Sequence, residues 1–61
     1  MRDVYILKRP DGSYVAPPGC DRSYTRDIRK ARIFDSVAHA ATEACENERV
    51  CYLWNEFESL R

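Results

Sequence analysis

No run of apolar residues in this chain approaches the roughly 20 that a membrane-spanning helix needs, so nothing in it reads as a span. Net charge is missing as well, because 10 basic side chains meet 10 acidic ones. Nucleic-acid binders usually carry a clear positive balance, and the overall charge offers no such argument. The first residues, Met-Arg-Asp-Val-Tyr, enter a strand pattern without the apolar stretch of a signal peptide. The expected compartment is therefore the cytoplasm. Cys20, Cys45 and Cys51 are odd in number, which suits reduced thiols in a cytosol better than a disulfide framework. Repeats and low-complexity segments are absent.

Recognisable catalytic or cofactor motifs are lacking too. Cys20 lies near Arg22, whose charge would lower a thiol pKa. Cys/His catalysis also needs a base, a third orienting group and a pocket, and His39 is the only histidine. A zinc set of Cys20, His39, Cys45 and Cys51 fares no better. Its nearest cysteines are six positions apart, whereas zinc sites usually place Cys pairs two to four apart. Cys45 and Cys51 are expected to be small core thiols and Cys20 a loop thiol, and the chain is expected to be no enzyme and to hold no metal or cofactor.

What is present is enough for one small domain of 61 residues. A chain this short buries only about 60% of its unfolded surface, so its core is marginal. Such chains often lean on a second copy of themselves, and a homodimer is among the expected partners.

The central stretch runs from Ala31 to Asn47. Asp35 or Ser36 can cap a helix over about 36–47 by accepting from a free N–H of its first turn. Val37, Ala41, Ala44 and Glu48 fall on one line, widened by Ala38, Ala40 and Cys45. This small-residue stripe is expected to lie against a sheet and its aliphatic side chains, such as Leu53 with Val4 or Ile6. Ile33 and Phe34, just before the cap, are expected to anchor the helix entry in the core.

Val4-Tyr5-Ile6-Leu7 reads as a strand, Pro10-Asp11-Gly12 as a turn, and Ser13-Tyr14-Val15-Ala16 as the returning strand of a hairpin over 3–16. Pro17-Pro18-Gly19 ends it. Residues 17–33 form a charged loop, in which Thr25 could cap a short helical turn over 26–31. A last strand is expected over 49–57, with Asn47 ending the helix before it. The predicted architecture is a single α+β domain over 1–61: a three-stranded antiparallel sheet in the order β-β-α-β, with one helix on one face.

Tyr24-Thr25-x-Asp27, then Ala31-x-x-Phe34-x-Ser36, then Ala40 or Ala41 inside a helix, resembles a pattern in small uncharacterised proteins of bacteriophages and prophages. The opening strand with its Gly-turn-Tyr hairpin is similar too. That resemblance implies no catalytic residues. It implies a class, since small phage products often act by binding a host protein. Anti-CRISPR proteins, which block bacterial defence nucleases, are one such group. The resemblance points to a protein that masks a host protein surface in the bacterial cytoplasm, the target being a defence or nucleic-acid-processing complex.

Two surfaces are candidates for contact. A sheet covered by one helix needs only one apolar face, yet both faces of the first and last strands look apolar. Either the 17–33 loop covers the second face, or aromatics remain there as a binding surface. In a last strand over 49–57, Tyr52 and Trp54 would share that face. Tyr5, Tyr14, Tyr52 and Trp54 are therefore the candidate aromatic contacts, with Glu43, Glu46 and Glu48 as an acidic set mimicking a phosphate row. The alternative is a nucleic-acid-binding accessory protein. It would use the basic segment of Arg22, Arg26, Arg29, Lys30 and Arg32, which stands against two aspartates in 21–32.

Overall fold

The computed structural model describes residues 3–19 and 23–60. Four strands form one antiparallel sheet: β1 (Tyr5–Lys8), β2 (Tyr14–Val15), β3 (Tyr24–Thr25) and β4 (Arg49–Tyr52), in the order β3-β2-β1-β4. A 3-10 turn (Ile28–Lys30) precedes helix α1 (Val37–Glu43), and helix α2 (Leu53–Ser59) follows β4 directly. The α+β class expected from the sequence is present. The sheet has a fourth strand and the domain a second helix.

β1 occupies the middle of the sheet. It pairs with β4 over its whole length, from Tyr5↔Tyr52 to Lys8↔Arg49. Its other side pairs with β2 at Lys8↔Tyr14 and, further back, with Phe34 across Tyr5. Its alternating side chains reach opposite faces, and both faces are covered. Ile6 packs with Tyr14, Ile28, Ala31 and Leu53, while Leu7 packs with Phe34 and Ala40. Ile6 and Leu7 are 0% and 1% exposed.

The β1–β2 hairpin forms as its turn chemistry dictates. Gly12 N–H donates to the Arg9 carbonyl at 3.0 Å, and Gly12 takes φ +91°, the left-handed conformation that closes a three-residue loop with a bulge. Asp11 Oδ1 accepts from both Ser13 N (2.9 Å) and Ser13 Oγ (2.6 Å). These bonds hold the Asp11 carboxyl below its ordinary pKa.

The expected 17–33 loop is more structured than its polarity suggested. Tyr24–Thr25 pairs with β2 at the sheet edge. Asp27, not Thr25, caps the following turn by accepting from Arg29 N at 3.0 Å. That turn lays Ile28 and Ala31 against Ile6 and Tyr14. The loop thus helps to cover the second sheet face, one of the two outcomes left open by the sequence. Residues 20–22 of that loop lie outside the described residues.

Helix α1 is shorter than the expected 36–47. Ser36 caps it, its Oγ accepting from His39 N at 3.1 Å. It ends at Glu43 because Ala44 turns extended (ψ 135°), and Glu48 Oε1 then accepts from Cys45 N at 2.9 Å. The chain must reverse within 44–48 to deliver Val50 opposite Leu7, and a helix running to Asn47 leaves no room for that turn. The helix phase is also corrected. Ala40 is the fully buried position, whereas Val37 and Ala41 are exposed. Phe34 is anchored as expected, but Ile33 is half-exposed. The paired Phe34–Tyr5 backbones set the helix over Leu7 and Val50, not over Ile6 and Leu53.

The predicted strand over 49–57 stops at Tyr52. Leu53 N–H donates to the Val4 carbonyl at 2.9 Å, and from Leu53 the chain is helical. Apolar residues at 53, 54, 57 and 60 follow a helical period rather than strict alternation. Glu56 in the first turn suits the helix dipole.

Because Ala40 has no free surface, Ala40→Leu is expected to overpack the α1 face and cost about 1–3 kcal/mol. Ala41→Leu, on the exposed side, is expected to change little. Thermal melts of the two variants check this, and a larger loss for Ala41→Leu would refute the assigned phase.

Candidate functional site

The four candidate aromatics do not share a face. Tyr14 is buried among Ile6, Ile28 and Leu53, with 2% of its surface exposed. It is a core residue and not a contact. Tyr5 and Tyr52 lie on the opposite face, half-buried, with ring centroids 5.6 Å apart, and Tyr52 Oη donates to Asp3 Oδ1 at 3.2 Å. Trp54 leaves the sheet altogether, because Leu53 begins a helix and a helical step of about 100° replaces the strand alternation. On α2 its ring sits 6.4 Å from that of Phe57, and each residue is 39% exposed. Leu60 continues this apolar surface in sequence and is also exposed. The aromatic pair Trp54–Phe57 was missed as a unit. Its i, i+3 spacing was the available signal.

The acidic set is dispersed for a similar reason. Ending α1 at Glu43 removes the helical turn that would have set Glu46 beside it at i, i+3. Glu43 Oε1 accepts from Arg32 Nη2 at 3.4 Å. Glu48 accepts from Tyr24 Oη (3.2 Å) and Cys45 N (2.9 Å). Glu46 is exposed, and with Glu48 it lines a shallow cleft facing Lys8, Arg9 and Asp11 of the hairpin turn. That cleft mixes charges of both signs. Arg9 lies on one side with its guanidinium carbon 3.9 Å from the Tyr24 ring centroid.

The basic segment is engaged locally. Arg29 pairs with Asp27 through Nε (3.2 Å) and Nη2 (3.3 Å). Arg26 Nη1 donates to the Asp11 carbonyl at 3.3 Å. Arg32 lies over the Phe34 ring at 4.7 Å besides bonding Glu43. Lys30 is exposed, and Arg22 lies outside the described residues. Cys20 is also outside them, while Cys45 is exposed and Cys51 half-buried. The His39 ring packs edge-on against Phe34 at 5.2 Å. Among the described residues no group of three or more His, Cys, Asp or Glu side chains is placed to hold a metal ion. No helix among them is long and apolar enough to cross a membrane.

The feature that positions Trp54 and Phe57 is a polar cluster beneath α2. Glu56 Oε2 accepts from Lys8 Nζ at 2.7 Å and from Tyr14 Oη at 2.8 Å. The Glu56 side chain is only 11% exposed. The Lys8 hydrogen bond holds the Glu56 carboxyl below its ordinary pKa, with a smaller push from Tyr14. Burial, reinforced by Glu56, pushes the Tyr14 phenol up to about 12. With Leu53 in the core and Glu56 tied to the sheet, one side of α2 is fastened and Trp54 and Phe57 remain partly in solvent.

Comparison with known proteins finds no family model, no curated protein and no solved structure that matches this chain.

The cluster makes stability depend on pH at both ends. Glu56 is depressed in the folded state, so its contribution is present above the unfolded carboxylate value of about 4.3 and is lost as pH falls through the folded one. Tyr14 is raised, so its contribution is present below about 10 and is lost as pH rises toward about 12. Glu56→Gln is expected to cost about 1.5–3 kcal/mol near neutrality and to flatten the acid limb. Tyr14→Phe should flatten the alkaline limb. Urea melts across pH, compared with the parent, check both. An unchanged acid limb in Glu56→Gln would exclude this role.

Proposed function

We propose that this chain is a non-enzymatic binding protein of the small phage type, which masks a host protein surface. The target class we favour is a bacterial defence or nucleic-acid-processing complex, as for anti-CRISPR proteins. The observation that carries the binding role is the Trp54–Phe57 pair, partly exposed on a helix that Leu53 and Glu56 fasten to the sheet. Trp is the residue type most enriched at interface hot spots, and a preorganised helix presents it at low entropic cost. The resemblance of Tyr24-Thr25-x-Asp27 and Ala31-x-x-Phe34-x-Ser36 to small phage proteins supports the class of target. Glu46 and the half-exposed Tyr5 and Tyr52 would serve as peripheral contacts.

Capture from a bacterial lysate, followed by identification and titration of the purified partner, tests this reading. Trp54→Ala is expected to weaken that complex by about 2 kcal/mol or more, with a melting temperature close to the parent's. Affinity unchanged in both Trp54→Ala and Phe57→Ala would reject α2 as the contact. Filter binding of DNA and RNA in a salt series tests the class. Steeply salt-dependent affinity would favour the nucleic-acid-binding alternative through Arg26, Lys30 and their neighbours.

A further inference from the structure

β4 is a terminal strand of the sheet, and its pairing reveals where its backbone groups point. Tyr5 and Phe34 exchange both backbone bonds at 2.8 Å, so the Tyr5 N–H and C=O face away from β4. Alternation along an antiparallel ladder then aims the groups of Ile6 and Lys8 at β4, where they meet Cys51 and Arg49. Val50 and Tyr52 consequently direct their N–H and C=O outward. Among the described residues, no backbone hydrogen bond from another segment reaches that side.

The sheet's two edges are not alike. Protein edges are usually blunted by short length, Pro, Lys or a bulge. β3 is two residues long. β4 has four residues, with neither Pro nor Lys, and a single charge at one end, Arg49.

We propose that the outer edge of β4 pairs antiparallel with the same edge of a second copy, about a two-fold axis at Cys51. Only outward-facing residues can exchange bonds, which here means Val50 with the partner subunit's Tyr52, and the reverse. These two residue pairs, with two bonds each, use every outward group of the strand. Centring on Val50 would leave Tyr52 unused and would draw the Arg49 charges together. Centring on Cys51 separates them by about 13 Å along the strands.

Side chains agree with that register. Val50 and the partner subunit's Tyr52 meet on the α1 face as an aromatic and β-branched pair, a favourable cross-strand combination. Cys51 meets its own copy as a non-hydrogen-bonded pair, with Cα atoms about 4.5 Å apart, within disulfide reach. Val50, Cys51 and Tyr52 are half-exposed in the single chain. Covering them adds apolar burial that a 61-residue core lacks. This contact shares Tyr52 with the periphery of the proposed host-binding surface but does not use Trp54 and does not rest on the host-binding reading.

Sedimentation of the reduced full chain over a concentration series should show a monomer–dimer equilibrium. Hydrogen exchange tests the register without any substitution. The Val50 and Tyr52 amides should slow by about tenfold or more as the dimer fills, while the inward Cys51 amide is slow throughout. In a Cys20→Ser, Cys45→Ser variant, diamide takes up the two thiol hydrogens and should join Cys51 to its copy, giving a species of twice 7.1 kDa. Val50→Pro removes only an outward donor, the position at which an edge strand tolerates proline, and should weaken the dimer by about tenfold or more. A chain that stays monomeric throughout, with its edge left to an extended segment of some other protein, overturns the proposal. So does a dimer in which Val50 and Tyr52 exchange as fast as in the monomer, or one that diamide cannot link through Cys51.

Discussion

Two adjacent residues, Ile6 and Leu7, are both fully buried, and they point to opposite faces of one short strand. A strand can satisfy that condition only at the centre of a sheet covered on both sides. Everything else in the domain supplies the cover. α1 and Phe34 close over Leu7, while Ile28, Ala31 and Leu53 close over Ile6. The backbone of β1 is treated the same way, with β4 along one edge and β2 together with Phe34 along the other. A chain of this size has few apolar side chains to spare, and concentrating them around one strand makes two thin cores from one element.

The second cover is held by chemistry as much as by packing. Lys8 lies on the Ile6 side of β1, opposite Arg49 of β4, and two like charges facing each other across strands are unfavourable. Glu56 compensates by accepting from Lys8, and its position near Arg49 also lowers its pKa. The same oxygen satisfies the Tyr14 hydroxyl, which would otherwise be a polar group stranded against the core. One carboxylate therefore settles a charge repulsion, a buried hydroxyl and the seat of α2.

Fastening α2 by Leu53 and Glu56 leaves Trp54 and Phe57 each partly in solvent. The acids and bases counted as surface features are mostly engaged at home: Arg29 with Asp27, Arg32 with Glu43, and Glu48 with Tyr24. Exposed pairs of this kind contribute little stability each, but they lower the charge available to an outside partner. The exposed surface of α2 is, by contrast, apolar and aromatic at Trp54 and Phe57.

The sequence by itself determined the local events. The Pro10-Asp11-Gly12 turn, the Ser36 cap, the strands at Tyr5 and Val50 and the burial of Phe34 follow from turn geometry, capping oxygens and side-chain type, which act over a few residues. The α+β class follows from them. Only the tertiary structure decided where α1 stops, which alanine it buries, and that the chain after Tyr52 coils instead of extending. Those outcomes depend on pairings distant in sequence: Phe34 with Tyr5, Val50 with Leu7, and Glu56 with Lys8 and Tyr14. The candidate site shared that fate. Tyr5, Tyr14, Tyr52 and Trp54 were legible as aromatics. Their division among a core, a sheet face and a helix was not, because a face is a property of the element's neighbours and not of the residue.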